Sequence, residues 1–208
     1  MPASTPDDRS PGPRRPGSGQ YRGRVPRLIL INGLPGSGKS ALGRRYLDDH
    51  SLALALDVDV IRSMLGRSLE EPTMSGVAAR DLARAMAQTH LQAGHDVLVC
   101  QFVGRLDFVE ALEQLAETVD AGFVEVALVT GIDEATARFM RRSEDRSRPE
   151  HRDAAILLDR AGGPDALAEM SSRLEGVVRA RPTTRRVVVV DGDLEETYQG
   201  LLETIHRA

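Results

Sequence analysis

The sequence is poor in cysteine and in aromatic residues, and both shortages restrict what the protein can be. Cys100 is the only cysteine in 208 residues, which rules out an intramolecular disulfide and suits a reducing cytoplasm. Aromatic residues make up 3% of the chain and Trp is absent, which argues against stacking platforms for single-stranded nucleic acid. No apolar run approaches the roughly 20 residues of a membrane span, and the N-terminus lacks a signal-peptide core. We therefore expect a cytoplasmic protein with no membrane partner.

Lysine is scarcer still, because Lys39 is the only lysine among 27 basic residues. The formal net charge of −4 gives no general attraction to nucleic acid, so any affinity for phosphate has to be local. A chain that otherwise uses arginine keeps lysine at one place, where a compact ammonium on a flexible stem is needed.

That lysine lies in the segment 33–40, which reads Gly-Leu-Pro-Gly-Ser-Gly-Lys-Ser and fits the pattern of a phosphate-binding loop. The glycines allow a tight turn in which successive N–H groups point at phosphate oxygens. Lys39 can then reach the outer phosphates, and the Ser40 hydroxyl can bind Mg²⁺. The predicted nucleotide-binding residues are Gly33, Pro35, Gly36, Ser37, Gly38, Lys39, Ser40 and Ala41.

Strands and helices alternate along the chain, which predicts an α/β fold with a parallel sheet and right-handed crossovers. The length suits one such domain, over residues 25–208. We expect a P-loop NTPase three-layer sandwich with about five strands and a short arginine-bearing lid. The predicted strands cover residues 27–32, 51–56, 96–103, 123–130 and 187–190.

Two carboxylates, Asp57 and Asp59, follow the second predicted strand, at the edge of the sheet where α/β proteins bind ligands. Arg62 lies three residues after Asp59, so the two side chains can share one helix face. A second interpretation is that one of the two acids simply caps the following helix, as Asp does well.

An arginine-rich region precedes the last predicted strand. Arg138 and Arg142 are spaced to share one face of a helix, and the polar segment 143–153 follows them. Guanidinium groups beside such a segment are typical of a lid over transferring phosphates. The other interpretation is a solvated charged face, since acidic residues nearby can pair with the arginines.

Two further segments are predicted to be irregular. Residues 1–24 are rich in Pro, Gly, Ser and Arg, which predicts a disordered tail. It is either a solvated leader or, less in keeping with its two acids, a nucleic-acid arm. Residues 66–76 read as a loop, either facing a substrate or serving as a plain connection.

From about residue 27 onward, the chain resembles the small P-loop kinases, a group that contains gluconate kinase, chloramphenicol phosphotransferase, zeta toxin and polynucleotide 5′-hydroxyl kinases. Three pieces carry the resemblance, namely the phosphate loop, the Asp59-x-x-Arg62 pair and the arginine helix at 138–142. Residues 95–180 look closest to uncharacterised bacterial "AAA family ATPase" sequences. The resemblance implies that Asp59 is the base for an acceptor hydroxyl, with Arg62 near the substrate.

One position departs from that group. Many of its members carry an acidic residue at the end of the third strand to support Mg²⁺, and this chain has Cys100-Gln101. A neutral amide is a poorer Mg²⁺ ligand than a carboxylate, so the predicted metal residues are Ser40 and Asp57.

Two functional hypotheses follow. The first is a kinase that transfers the γ-phosphate of ATP to a hydroxyl of a small molecule, a nucleotide or a nucleic-acid end. Its predicted catalytic residues are Lys39, Asp59, Arg62, Arg138 and Arg142. The second is a nucleotide-dependent switch that acts through a protein partner, in which Gln101 orients water instead of an alcohol. The sequence identifies neither the acceptor nor the base of the nucleotide, and a nucleic-acid acceptor is the less favoured one.

Overall fold

The computed structural model describes residues 24–144 and 148–207. Within these ranges the chain forms five strands and eight helices. The strands are β1 (Arg27–Asn32), β2 (Leu54–Leu56), β3 (Val97–Cys100), β4 (Gly122–Val129) and β5 (Arg185–Val188). The helices are α1 (Lys39–Asp49), α2 (Val58–Ser63), α3 (Pro72–Gln92), α4 (Leu106–Thr118), α5 (Ile132–Glu144), α6 (Pro149–Arg160), α7 (Pro164–Ala180) and α8 (Leu194–His206).

The strands form one parallel sheet in the order β2-β3-β1-β4-β5. Parallel neighbours need crossover connections, and the helices that make them pack on both faces of the sheet. The predicted α/β sandwich with a five-stranded parallel sheet is confirmed. All five strands end at the same edge, where the connections to the following helices lie.

The alternation of side chains along β1 explains the two cores. Leu28 and Leu30 face a cluster that includes residues of α3 and α4, whereas Ile29 and Ile31 face a cluster built with α1 and α8. All four side chains are fully buried. A central strand buried on both faces reads as a continuous apolar run, and this pattern made β1 predictable.

Some predicted boundaries are wrong. The segment predicted as a loop at 66–76 is partly helical, because Pro72 occupies the first turn of α3, where a missing N–H costs nothing. The Ser75 hydroxyl then donates to the carbonyl of Ser68 and fixes the entry to the helix. β2 begins at Leu54, three residues later than predicted, since Leu52 adopts a positive φ of 61°.

The predicted lid at 143–153 is not a continuous irregular segment. Residues 143–144 end α5, and Pro149 begins α6 from a first-turn position. Residues 145–147, and Arg146 with them, lie outside the described residues. The lid function of this segment stays a prediction.

The predicted tail also lies outside the described residues, with the exception of Arg24. Its guanidinium donates to the buried Asp96 carboxylate at 2.7 Å. In the described part of the chain no helix is long and apolar enough to cross a membrane.

Candidate active site

The segment 33–38 joins β1 to α1 as a tight loop around the lysine side chain. Gly36 and Gly38 have positive φ values of 83° and 94°, which glycine adopts without strain. The ammonium of Lys39 donates to the carbonyls of Gly33 and Leu34, both at 2.8 Å. The loop and the first turn of α1 thus surround the lysine in the form expected of a phosphate-binding loop.

Gly36 also sets how closely α5 approaches the loop. A Cβ atom at Gly36 would lie 2.1 Å from the backbone carbonyl oxygen of Ala135, whereas a Cβ at Gly38 would meet nothing within 4 Å. The loop and α5 are therefore in direct backbone contact, and this contact holds the arginines of α5 beside the phosphate loop.

Because of this contact, Gly36→Ala should destabilise the protein much more than Gly38→Ala. Both add strain at positive φ, but only the first adds a backbone clash. We expect the free energy of unfolding to fall by about 3 kcal/mol for Gly36→Ala and about 1 kcal/mol for Gly38→Ala. Urea denaturation without nucleotide measures both, and equal losses would contradict the contact.

The Lys39 ammonium is partly buried between the loop and the carboxyl ends of the strands. Burial lowers its pKa to about 8, and the Arg142 guanidinium adds to this lowering. Asp57 and Asp59 oppose the shift. Lys39 and Arg142 repel each other in a partly desolvated cavity. A bound polyanion such as a polyphosphate would relieve this repulsion, so the cavity favours one.

Asp57 caps a helix, as one interpretation of the sequence expected, and it also contacts the phosphate loop. Its Oδ1 accepts from the backbone N–H of Asp59 and caps α2. Its Oδ2 accepts from the Ser40 hydroxyl at 2.8 Å. The carboxylate therefore fixes α2 and the phosphate loop to each other.

Asp59 lies in the first turn of α2, and Arg62 lies one turn later. An Nη atom of Arg62 donates to the Asp59 carboxylate at 2.7 Å, as the spacing predicted. Desolvation raises the pKa of the Asp59 carboxyl, and the Arg62 guanidinium opposes that rise. A half-buried carboxylate with a raised pKa is a stronger base than an exposed aspartate, which suits it to accept a proton from a bound alcohol.

Most of the predicted site residues line one cavity of about 270 Å³ beside the loop. It is formed by the loop, by the ends of β2 and β3, and by α2, α5, α6 and α7. The predicted residues that line it are Pro35, Lys39, Ser40, Asp57, Asp59, Arg62 and Arg142. The Arg142 guanidinium lies 5.5 Å from the Phe139 ring, and its Nε is buried without a hydrogen-bond partner among the described residues.

Arg138 is placed elsewhere. Its guanidinium pairs with Asp191 at 3.2 Å and lines a second cavity, of about 240 Å³, with Ser37, Gly38 and the loop before α8. The two arginines are one turn apart on α5, and each faces a different cavity. The phosphate loop runs between these cavities, since Ser37 and Gly38 line one and Lys39 and Ser40 line the other.

The end of β3 carries no acid, as the sequence shows, and its residues take other positions. The Cys100 thiol is buried where a Cβ on Gly43 would come within 2.7 Å of it. Burial raises the pKa of the thiol to about 12, so it stays protonated. Gln101 lines the first cavity, and its Oε1 is buried without a hydrogen-bond partner among the described residues.

Several residues of the site were not found from the sequence. The buried Asn32 side chain donates to the carbonyl of Val103 and accepts from its N–H, which ties the end of β1 to the segment after β3. Arg44, Phe102 and His151 line the first cavity. Only Asn32 gave a usable signal, since a polar residue that ends a fully apolar strand needs buried partners.

The chain is similar to solved structures at the level of the fold. A gluconokinase from Sinorhizobium meliloti 1021 has 18% identity and a TM-score of 0.56, over 88% of this chain and 94% of that one. Kti12 from Chaetomium thermophilum, in complex with ADP-AlF3, has 18% identity and a TM-score of 0.62, over 87% and 98%. The APS kinase of Mycobacterium tuberculosis, in complex with AMPPNP and APS, has 20% identity and a TM-score of 0.53, over 88% and 98%.

No curated protein matches the sequence. A family model for the AAA domain, AAA_33, matches residues 28–161, from the first strand to the end of α6. This range contains the phosphate loop, the Asp59–Arg62 pair and both α5 arginines. The resemblance to small P-loop kinases is confirmed: the chain is a nucleotide-binding P-loop protein and belongs to the AAA_33 family, a family of P-loop kinases.

Proposed function

We propose that the protein is a kinase that transfers the γ-phosphate of ATP to a hydroxyl group. The observation that carries this proposal is the position of Asp59, which lines the same cavity as Lys39 and Arg142. A carboxylate with a raised pKa in one cavity with two cations suits the attack of an alcohol on a phosphoryl group.

The two cavities suggest how the nucleotide lies. Its phosphates would follow the loop, with the base on the Arg138 side and the γ-phosphate on the Arg142 side. The loop before α8, residues 189–193, and Leu194 at the start of α8 line the base side. Arg138 would then contact the base side of the nucleotide, and Arg142 the group that is transferred.

The residues present fit Mg²⁺. Ser40 and Asp57 offer two hard oxygen donors in contact with each other beside Lys39, which is the donor type that Mg²⁺ prefers. The described residues contain no group of three His, Cys, Asp or Glu side chains able to hold a metal alone, so phosphates and water would complete the shell. When bound, Mg²⁺ supplies positive charge that offsets the charge of the phosphates.

In the reaction, the acceptor oxygen forms a bond to the γ-phosphorus while the bond from that phosphorus to the oxygen of ADP breaks. The hydroxyl proton passes to the Asp59 carboxylate, which Arg62 holds in position. Lys39 and Arg142 stabilise the charge on the equatorial oxygens of the transferred group.

The second candidate is a nucleotide-dependent switch with a protein partner. Gln101 favours it, since this residue lines the cavity and a Gln there can orient water. Asp59 and Arg62 have no evident use in such a switch, and for this reason we favour the kinase.

Incubation with γ-labelled ATP, Mg²⁺ and a panel of alcohols separates the two functions. The kinase proposal expects a labelled phosphate ester and a rate that rises with acceptor concentration. Release of inorganic phosphate alone, at a rate that no acceptor changes, would contradict it and support the switch.

The pKa of Lys39 gives a test of nucleotide binding. Phosphates bind the protonated ammonium, and the free protein loses this proton as the pH rises through about 8. We therefore expect the affinity for ATP to fall about tenfold between pH 7 and pH 9. Titration calorimetry measures the change. Lys39→Met should bind weakly and without this pH dependence, and a wild-type affinity that stays constant to pH 9 would contradict the assignment.

A further inference from the structure

The cavity that holds Asp59 has two chemically different sides. Most of the charged groups that line it come from the phosphate loop, α1 and α2, together with Arg142 of α5. The apolar side chains come from the segment after β3 and from α5, α6 and α7, and we call them the apolar side of the cavity. They are Phe102, Phe139, Leu157, Leu158 and Met170.

This apolar side is more than a piece of the protein core. Phe102, Leu157, Leu158 and Met170 are each only partly buried, and all four line the cavity. Phe102 and Met170 do pack behind the cavity, against a small cluster of Leu34, Ala135 and Leu174. When an apolar ligand covers accessible apolar surface inside a concave site, the burial of that surface makes binding more favourable.

The same side offers little to a charged or multiply hydroxylated acceptor. Of the described α6 and α7 residues that line the cavity, none is Lys or Arg, and the polar ones, Glu150 and His151, belong to the first turn of α6. Arg62 is already paired with Asp59. A carboxylate or phosphate that lies against the described residues of α6 and α7 would find no Lys or Arg, and each sugar hydroxyl left without a partner would lower affinity about tenfold.

We propose that the acceptor is a small alcohol with an apolar body, aromatic or branched aliphatic, and not a polyol, a sugar acid or a nucleic-acid 5′ end. This inference rests on the kinase function proposed above. The cavity of about 270 Å³ has room for roughly nine water molecules, so the buried part of the acceptor is small. Its hydroxyl lies at Asp59, and its body lies against Leu157, Leu158 and Met170.

The test compares acceptors with γ-labelled ATP and the full-length protein. The apolar probes are 3-phenylpropan-1-ol and cyclohexylmethanol, and the polar probes are xylitol, D-gluconate and a 5′-hydroxyl oligonucleotide. We expect kcat/KM to be at least tenfold higher for an apolar probe than for any polar one.

A pair of methionine variants locates the acceptor in the cavity. Met170→Gln makes the apolar side polar at nearly constant volume and should raise KM for 3-phenylpropan-1-ol about tenfold. Met74→Gln makes the same change on α3, at a side chain that is 66% exposed, and should leave KM unchanged. Thermal denaturation shows that both variants are folded, and equal KM values for the two would overturn the placement.

The outcomes separate this inference from the kinase proposal. A labelled ester of xylitol, gluconate or the oligonucleotide, formed in preference to the apolar esters, would overturn the inference and leave the kinase proposal standing. Labelled inorganic phosphate without any ester would overturn both.

Discussion

Asp59→Asn is expected to lower kcat by a factor of about 10²–10⁴ and to change the Kd for ATP less than about twofold. The amide keeps the size and the hydrogen-bonding contact of the carboxylate with Arg62, but it cannot accept the acceptor's proton. The Asp59 carboxylate pairs with Arg62, whereas Lys39 donates to carbonyls of the phosphate loop, so the hydrogen bonds of Lys39 are unchanged.

Steady-state turnover with a saturating alcohol and calorimetry with ATP measure the two quantities separately. Asp81→Asn on α3 is a matched control, because its carboxylate is 66% exposed and, among the described residues, pairs only with Arg84, at 3.8 Å. The acid limb of the wild-type pH profile should disappear in Asp59→Asn, since that limb reports the protonation of the base. A variant that keeps its rate within tenfold would show that Asp59 is not the base.

The fold was predictable because its signals are local. β1 is an uninterrupted apolar run that ends at Asn32, and the glycine pattern follows it at once, which is the order a phosphate loop needs. Pro164 and Asp193 mark helix starts, and both lie where α7 and α8 begin. Boundaries are wrong where a local signal has two meanings, as at Pro72, which the sequence predicts as part of a loop and which instead begins α3.

The site was predictable only in part, because its geometry depends on how distant elements pack. The contact between Asp59 and Arg62 was predictable from their spacing, because both residues lie within one helix turn. The contact of Asp57 with Ser40 joins residues 17 apart in sequence and depends on β2 lying near α1. The apolar side of the cavity comes from four separate segments, and in each of them a Leu, Met or Phe reads as ordinary core.

The two arginines of α5 show the same limit. Four residues apart on one helix, Arg138 and Arg142 appear equivalent in sequence. Packing of the Gly36 backbone against Ala135 places the phosphate loop across their face, so one lies on each side of it. The sequence predicts both as catalytic residues near the transferring phosphates, whereas in the structure they line different cavities.

Replacing each arginine with Ala should therefore give different kinetics. Arg142→Ala removes a cation beside the transferred group and should lower kcat by a factor of about 10²–10³ with little change in KM for ATP. Arg138→Ala removes a contact to the base side of ATP. This contact is equally strong in the ground state and in the transition state. Arg138→Ala should raise KM for ATP about tenfold and leave kcat unchanged.

Since Arg138 also pairs with Asp191, Asp191→Asn serves as the control for loss of that ion pair alone. The pair is largely exposed on the Asp191 side, so this control should change KM by less than about threefold. Lys39 gives a second readout, because the guanidinium of Arg142 helps to lower its pKa. In Arg142→Ala the pKa of Lys39 should rise, and ATP binding should persist to higher pH. If both arginine variants lost kcat equally, the two side chains would act on the same phosphate, and the nucleotide would not lie across the loop as proposed.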